Sequence, residues 1–326
     1  MSLSEFQLIE RFFAGLGAAR ADVRLGHGDD AALVDCGGAT LALAVDTLIE
    51  GVHFPADAPA ASIGHKLLAV NLSDLAAMGA EPAWALLALT LPTVDEARLA
   101  AIREGLDALA SRHGLALIGG DTTRGESLVA SLFVAGHAGE DALRRDGAQP
   151  GDWVWVSGAP GEAAAGLALW QGGARDGPGV AQLLRRLHWP EPRVALGRGL
   201  RGVASAAVDV SDGVVADAGH LAHRSGVALT IRAADLPLSP ALTACAGERA
   251  MEYALAGGDD YELLFTAPEA ATEAVRRAAD AAGVTVRPVG VVAAGRAEVT
   301  VIDADGAPMK VVRGGYRHFD GEGGGR

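Results

Sequence analysis

Apolar and polar positions along the chain follow two periods, one helical and one alternating. Phe6, Ile9 and Phe13 recur at helical spacing behind a Ser2-x-x-Glu5 capping box, so a helix is predicted at the start. Short β-like runs follow at 31–34 and 40–45. The stretch 62–78 predicts a long helix, capped by Gly79 and stopped by Pro82. An apolar run at 84–91 predicts a strand, 96–113 an amphipathic helix ended by Gly114, and 115–118 and 127–137 two more strands. The alternation resumes after Gln149-Pro150-Gly151. Strands are predicted at 153–157, 207–210, 263–266 and 285–292, and helices at 161–170, 193–204, 214–224 and 269–282. Residues 172–179 read as a Gly-rich surface loop and 321–326 as a disordered tail. Helices interleaved with strands give an α/β or α+β class, and the pattern alone does not choose between them.

Length adds a division into two domains. A chain of 326 residues suggests two, with the boundary at the Pro-Gly turn: 1–148 and 149–320. Half the residues are apolar and 21% are charged, which favours packed domains over disorder. The 27 basic residues against 41 acidic ones leave a net charge of −14, which argues against a nucleic-acid partner held by a basic surface. The two lysines, Lys66 and Lys310, lie in neither a Walker A loop nor a protein-kinase strand. The two cysteines, Cys36 and Cys245, exclude a disulfide scaffold, a CxxC redox motif and a Cys-rich zinc site. The start lacks a basic leader, and the longest apolar stretch, 83–91, is too short to span a bilayer, so a soluble cytoplasmic protein without a membrane partner is expected.

Gly197-x-Gly199-x-x-Gly202 matches the dinucleotide fingerprint in letters only. It follows a helical stretch rather than a strand, so no pyrophosphate turn is expected there. Asp217, His220 and His223 are spaced for one helix face and could hold zinc, but a solvated face is the preferred reading. The stronger pattern is the placement of aspartates. Gly28-Asp29-Asp30 precedes a strand, and Asp46-Thr47 ends one. Asn71 and Asp74 lie one helical turn apart. Gly119-Gly120-Asp121-Thr122-Thr123 and Asp209-x-Ser211-Asp212-Gly213 each follow a strand, and Gly257-Gly258-Asp259-Asp260-Tyr261-Glu262 completes the set. The segments 70–74 and 208–212 echo one another. Turn-forming alone explains one or two such motifs, not six embedded in apolar sequence. Clustered carboxylates repel unless cations bridge them, and hard oxygen donors select Mg²⁺. Mg²⁺ on an acidic protein points to phosphate chemistry, with Arg144-Arg145 as a candidate phosphate clamp.

These motifs, with Lys66-x3-Val70-Asn71-Leu72-Ser73-Asp74-Leu75-Ala76-Ala77-Met78-Gly79-Ala80, His53-Phe54 and Gly315-Tyr316-x-His318-Phe319, resemble the thiamine-monophosphate kinase family in order and over nearly the whole chain. The resemblance implies the two-domain fold of the aminoimidazole ribonucleotide synthetases, α/β (α+β), with a homodimer formed through the N-terminal domains. It implies Mg²⁺ as cofactor, and ATP and thiamine monophosphate as substrates. It assigns Asp30, Asp46, Asp74, Asp121, Asp209 and Asp212 to the metal. Gly120, Asp121, Arg145 and Ser211 would contact ATP, with Asp121, Arg145 and Asp212 serving the transfer itself. His53, Asp259 and Tyr316 would contact the acceptor.

Three departures from the family pattern stand out: Ala44-Val45 stands where Ser or Thr is usual, Asp259 where Glu is common, and His27 where an apolar residue is usual. Other ATP-using members of the fold and a non-catalytic nucleotide binder remain alternatives. The selenophosphate and hydrogenase-maturation members would need cysteines at positions where this chain has none.

Overall fold

The structure, a computed structural model, describes residues 5–13 and 18–311. Ser2 of the expected capping box, Tyr316 and the 321–326 tail lie outside them. Two six-stranded sheets carry the chain. The first uses β1 (Val23–Leu25), β2 (Ala32–Cys36), β3 (Ala39–Ile49), β4 (Glu81–Leu91), β5 (Ala116–Arg124) and β6 (Val129–His137), in the order β1-β2-β3-β6-β4-β5. Every neighbour is antiparallel except β4 and β5, which are parallel and joined through a helix. The second uses β7 (Trp153–Ser157), β8 (Ala206–Val210), β9 (Ala228–Arg232), β10 (Glu262–Ala267), β11 (Val286–Ala293) and β12 (Glu298–Ile302), in the order β12-β9-β11-β7-β10-β8. Only β12 and β9 run parallel there. Mostly antiparallel sheets with helices laid against them settle the class as mixed α+β.

Helix α1 is Glu5–Phe12, and α2 (Ala60–Ala77) and α3 (Glu96–His113) pack together. The second half adds α4 (Glu162–Gln171), α5 (Val180–His188), α6 (Val194–Leu200), α7 (Val214–Ser225), α8 (Pro240–Ala246), α9 (Ala250–Ala256) and α10 (Thr272–Ala282). The period-reading missed β1, β9, β12, α5, α8 and α9, all short elements whose burial is decided by distant neighbours. Pro82 does not stop anything; it lies inside β4, opposite Gly136.

Helix α2 holds the halves together. Of its 18 residues 15 are buried, because α3, β3 and β6 cover one side while α6, β8 and β10 cover another. Leu67, Leu68, Leu72 and Leu75 on α2 share one apolar cluster with Trp155, Leu196, Leu263 and Phe265 of the second half. Gly197, the first glycine of the fingerprint look-alike, explains itself here. It sits in α6 against α2, and a Cβ there would lie 1.9 Å from the Ala76 carbonyl oxygen. The motif is a helix-packing contact, as the absence of a preceding strand predicted. Gly197→Ala is expected to cost about 1–3 kcal/mol of stability. A melting midpoint equal to that of the wild type would show that α6 can move away without loss.

Candidate active site

The aspartates converge between the two sheets. Asp30, Asp74 and Asp209 present carboxylate oxygens within 4.8 Å of one another. They arrive from the loop before β2, from α2, and from the penultimate residue of β8. Asp209 is buried inside its strand and accepts the Ser73 hydroxyl at 2.7 Å, which ties β8 to α2. Asp46 lies beside them: its backbone N–H donates to Asn71 Oδ1 at 3.1 Å, and its charge acts on Asp74. Asp46 does not end its strand, as expected from sequence, but sits within β3, which runs on to Ile49 paired with β6.

Burial pushes the Asp74 carboxyl well above its ordinary 3.8, and the charges of Asp46, Asp209 and Asp30 push the same way. Asp209 is raised by burial, then by Asp30 and Asp217. Asp29 is raised to about 6 by burial and by Asp30. The Arg145 guanidinium answers part of this charge. It clasps Asp30 through Nε (3.2 Å) and Nη2, while its backbone N–H donates to Asp29 at 3.0 Å. Arg144 points elsewhere, to Asp146.

A second group lies next to the first. Asp212, Asp217 and His220 bring ligand atoms within 4.8 Å of one another. Asp217 is not on a solvated helix face, as the spacing suggested: it is 2% exposed. One of its oxygens, Oδ2, accepts the backbone N–H groups of Ser211 (3.1 Å), Asp212 (3.1 Å) and Gly213 (3.0 Å). That trio shapes the turn which aims Ser211 and Asp212, so Asp217 builds the site from behind. His223 is exposed and outside both groups.

Asp121 stands apart. Its segment is not a turn but the middle of β5, the edge strand, opposite Ala88 of β4. Successive residues of a strand face opposite ways. Ala42, Ala44, Asp46 and Leu48 face α2 with buried Leu132, whereas Asp121 shares the other face with Ala88 and Thr47. Three inter-strand spacings, about 14 Å, separate β3 from β5. Gly120 is fixed by close approach, since a Cβ there would lie 1.8 Å from the Leu87 carbonyl oxygen. The open face also carries Val45, Trp84 and Leu86, and the same edge strand exposes Leu117 and Ile118.

Of the expected acceptor residues, His53 and Asp259 line one cavity of about 190 Å³, together with Ser211, Gly258, Tyr261 and Leu167. His53 Nδ1 accepts the Ile49 N–H at 3.0 Å, which fixes its ring against the end of β3. Asp259 pairs with the ammonium of Lys66 and accepts the Tyr261 hydroxyl at 2.9 Å. Lys66 and Tyr261 belonged to the quoted motifs without a role, because their partner lies almost two hundred positions away or across a turn. A lysine inside an apolar helical run was the one available signal. Tyr316 lies outside the described residues.

The last acid of the Gly257–Glu262 motif serves the fold. Glu262 is fully buried and meets Arg193 at 2.5 and 2.6 Å, Arg186, and the Ser157 hydroxyl at 2.5 Å. Burial alone would raise its carboxyl, but the charge of Arg193, its hydrogen bonds and Arg186 hold it down at about 2.

Comparison with known proteins supplies the context. Residues 28–138 match AIR synthase related protein, N-terminal domain, and residues 149–303 match AIR synthase related protein, C-terminal domain. The thiamine-monophosphate kinase of Escherichia coli (strain K12) is 44% identical over 324 residues, 98% of this chain and 99% of the relative. The crystal structure of thiamine-monophosphate kinase from Stenotrophomonas maltophilia K279a is 49% identical with a TM-score of 0.79, covering 94% of this chain and 98% of that one. AaThiL complexed with AMPPCP and TMP is 34% identical with a TM-score of 0.85, covering 98% of this chain and 99% of that one.

Proposed function

The chain belongs to the thiamine-monophosphate kinase family, and from that premise we propose how its residues transfer the γ-phosphoryl group of ATP to thiamine monophosphate, giving thiamine diphosphate and ADP. This is the step that completes thiamine diphosphate synthesis. The observation that carries the reading is the full-length match to a relative complexed with AMPPCP and TMP, combined with a carboxylate cluster beside a cavity lined by His53 and Asp259. The attacking group is a phosphate oxygen of the acceptor, already ionised near neutral pH. No protein base has to remove a proton, so the aspartates act as ligands rather than as proton carriers.

The donor set fits Mg²⁺. Asp30, Asp74 and Asp209 offer only hard oxygens, and their mutual repulsion is what a divalent cation relieves. Asp46 and Asp212 are assigned with them. Bound Mg²⁺ supplies charge neutralisation at the nucleotide phosphates. Arg145 and Ser211 orient the nucleotide, with Arg145 exchanging part of its hold on Asp30 for phosphate oxygens. His53, Asp259 and Tyr316 are assigned to the acceptor.

Asp121 and Gly120 are assigned to nucleotide and metal from the open face of the first sheet. The exposed Val45, Trp84, Leu86, Leu117 and Ile118 around them suit a homodimer formed through that sheet. The working division of the chain is 1–148 and 149–320, between the two sheets. Among the described residues no helix is long and apolar enough to cross a membrane, and a cytoplasmic enzyme is the reading adopted.

The deciding assay measures ADP release from Mg-ATP with thiamine monophosphate, with free thiamine, and with no acceptor. ADP and thiamine diphosphate formed with the monophosphate alone support the kinase. A folded protein that binds Mg-ATP without turnover points to another reaction of the fold. Mg²⁺ added to metal-free protein is expected to release protons increasingly as the pH is lowered, because burial and crowding raise the Asp74 and Asp209 carboxyls and the ion needs them ionised. Calorimetry in two buffers of different ionisation enthalpy reads this directly. Heats independent of buffer would mean that the cluster is already ionised or does not take the ion.

A further inference from the structure

Lys66 is one of two lysines in the chain, and it stands where a charge is costly. Its side chain is 4% exposed on α2. The ammonium pairs with Asp259 and donates to the His53 carbonyl oxygen at 3.3 Å. Both of those residues line the acceptor cavity, so Lys66 stands one hydrogen bond behind its wall. Asp259 itself is held in an uncommon conformation. Its φ is 75°, that of Tyr261 is 53°, and their N–H groups are pinned to the carbonyls of Ser211 (2.7 Å) and Val210 (2.9 Å). Left-handed backbone at two non-glycine residues persists only where its surroundings enforce it, and it collects at ligand sites.

A resting lysine–aspartate pair carries no net charge, so it has little attraction for a lone cation. Thiamine monophosphate is not a lone cation: it joins a thiazolium ring to an anionic phosphate. We propose that Lys66 and Asp259 form an exchangeable ion pair that recognises the acceptor as a zwitterion. The thiazolium takes the place of the ammonium at the Asp259 carboxylate, and the released ammonium takes the phosphate. This rests on thiamine monophosphate being the acceptor. It makes Lys66 the residue that separates the phosphate ester from the free alcohol. Free thiamine takes one half of the pair and leaves a buried ammonium without an anion, a state that costs binding.

The test titrates thiamine monophosphate and free thiamine separately into the full chain as wild type, Lys66→Met and Lys66→Arg. Lys66→Met is expected to weaken monophosphate binding about 30-fold or more, with thiamine binding unchanged or tighter. Lys66→Arg restores part of the preference, and KM for ATP stays as in the wild type. An equal loss for both ligands would make Lys66 a structural residue and overturn the proposal, as would unchanged monophosphate binding. Should Lys66→Met fail to fold, Asp259→Asn gives the converse reading, since it keeps the ammonium: thiamine is expected to lose more than the monophosphate, and an equal loss again overturns it. Wild-type protein that neither binds nor phosphorylates thiamine monophosphate refutes the acceptor assignment instead, which is a separate outcome.

Discussion

Asp74→Asn lowers kcat by on the order of a thousandfold while leaving the metal-free protein at least as stable as the wild type. The first half of this expectation follows from the cluster: Asp74 contributes one of three carboxylates drawn within 4.8 Å, and losing one such group removes charge neutralisation made in the transition state. The second half follows from the same crowding. Burial and the charges of Asp46, Asp209 and Asp30 raise the Asp74 carboxyl above its ordinary 3.8, so ionisation strains the empty fold. A carboxyl raised on folding stabilises below the unfolded value and loses that contribution as pH rises through the folded value. The Asp74 contribution to metal-free stability therefore falls as pH rises, and Asp74→Asn flattens that part of the slope. Melting curves at several pH values with chelator, set beside turnover with Mg-ATP, check both halves. Turnover within tenfold of wild type would remove Asp74 from the cluster, and a mutant that melts earlier without metal would show that its role is structural.

Glu262→Ala acts in the opposite way, on the fold before the chemistry. Arg186 and Arg193 both close on this one carboxylate, and removing it leaves two guanidinium groups without their shared anion. Breaking a buried pair from one side costs about 3–5 kcal/mol, a large part of a typical domain's stability. The wild-type contribution is present above the unfolded value of 4.5 and is lost as pH falls towards about 2. Denaturant titration at neutral pH reads the loss, and a shift in midpoint equivalent to under about 1 kcal/mol would show that the arginines find other partners.

Much of the site could be read from sequence, for a definite reason. Asp30, Asp74, Asp209 and Asp212 stand in short motifs that marked each of them as a candidate and that the family resemblance assigned to the metal, although the segments carrying Asp30, Asp74 and Asp209 meet only in the fold. What was misread depended on pairing with distant strands. Asp46 and Asp121 looked like strand ends because Thr and Gly punctuate turns, yet β3 and β5 continue through them under the ladders with β6 and β4. Asp217 looked solvated because its helical period matched two histidines. Its three bonds to the turn at 211–213 make it buried, and no periodicity encodes those bonds. Glu262 was counted with the acidic turn, although Arg186 and Arg193, far upstream, turn it into a structural anion. Gly197 went the other way: the letters suggested a ligand, and the helical context showed that they did not.

The near-complete burial of α2 bears on how the polypeptide is made. A ribosome delivers residues 60–77 early, and α3, β3 and β6 can cover one flank once about 137 residues have emerged. The other flank waits for α6, β8 and finally β10, which ends at Ala267. Until then the nascent chain carries an uncovered helix rich in leucine and alanine. The first half alone is thus expected to leave one flank of this helix uncovered rather than to fold as an independent unit. Splitting the gene between the two sheets should yield fragments that are recovered only when the halves are made together.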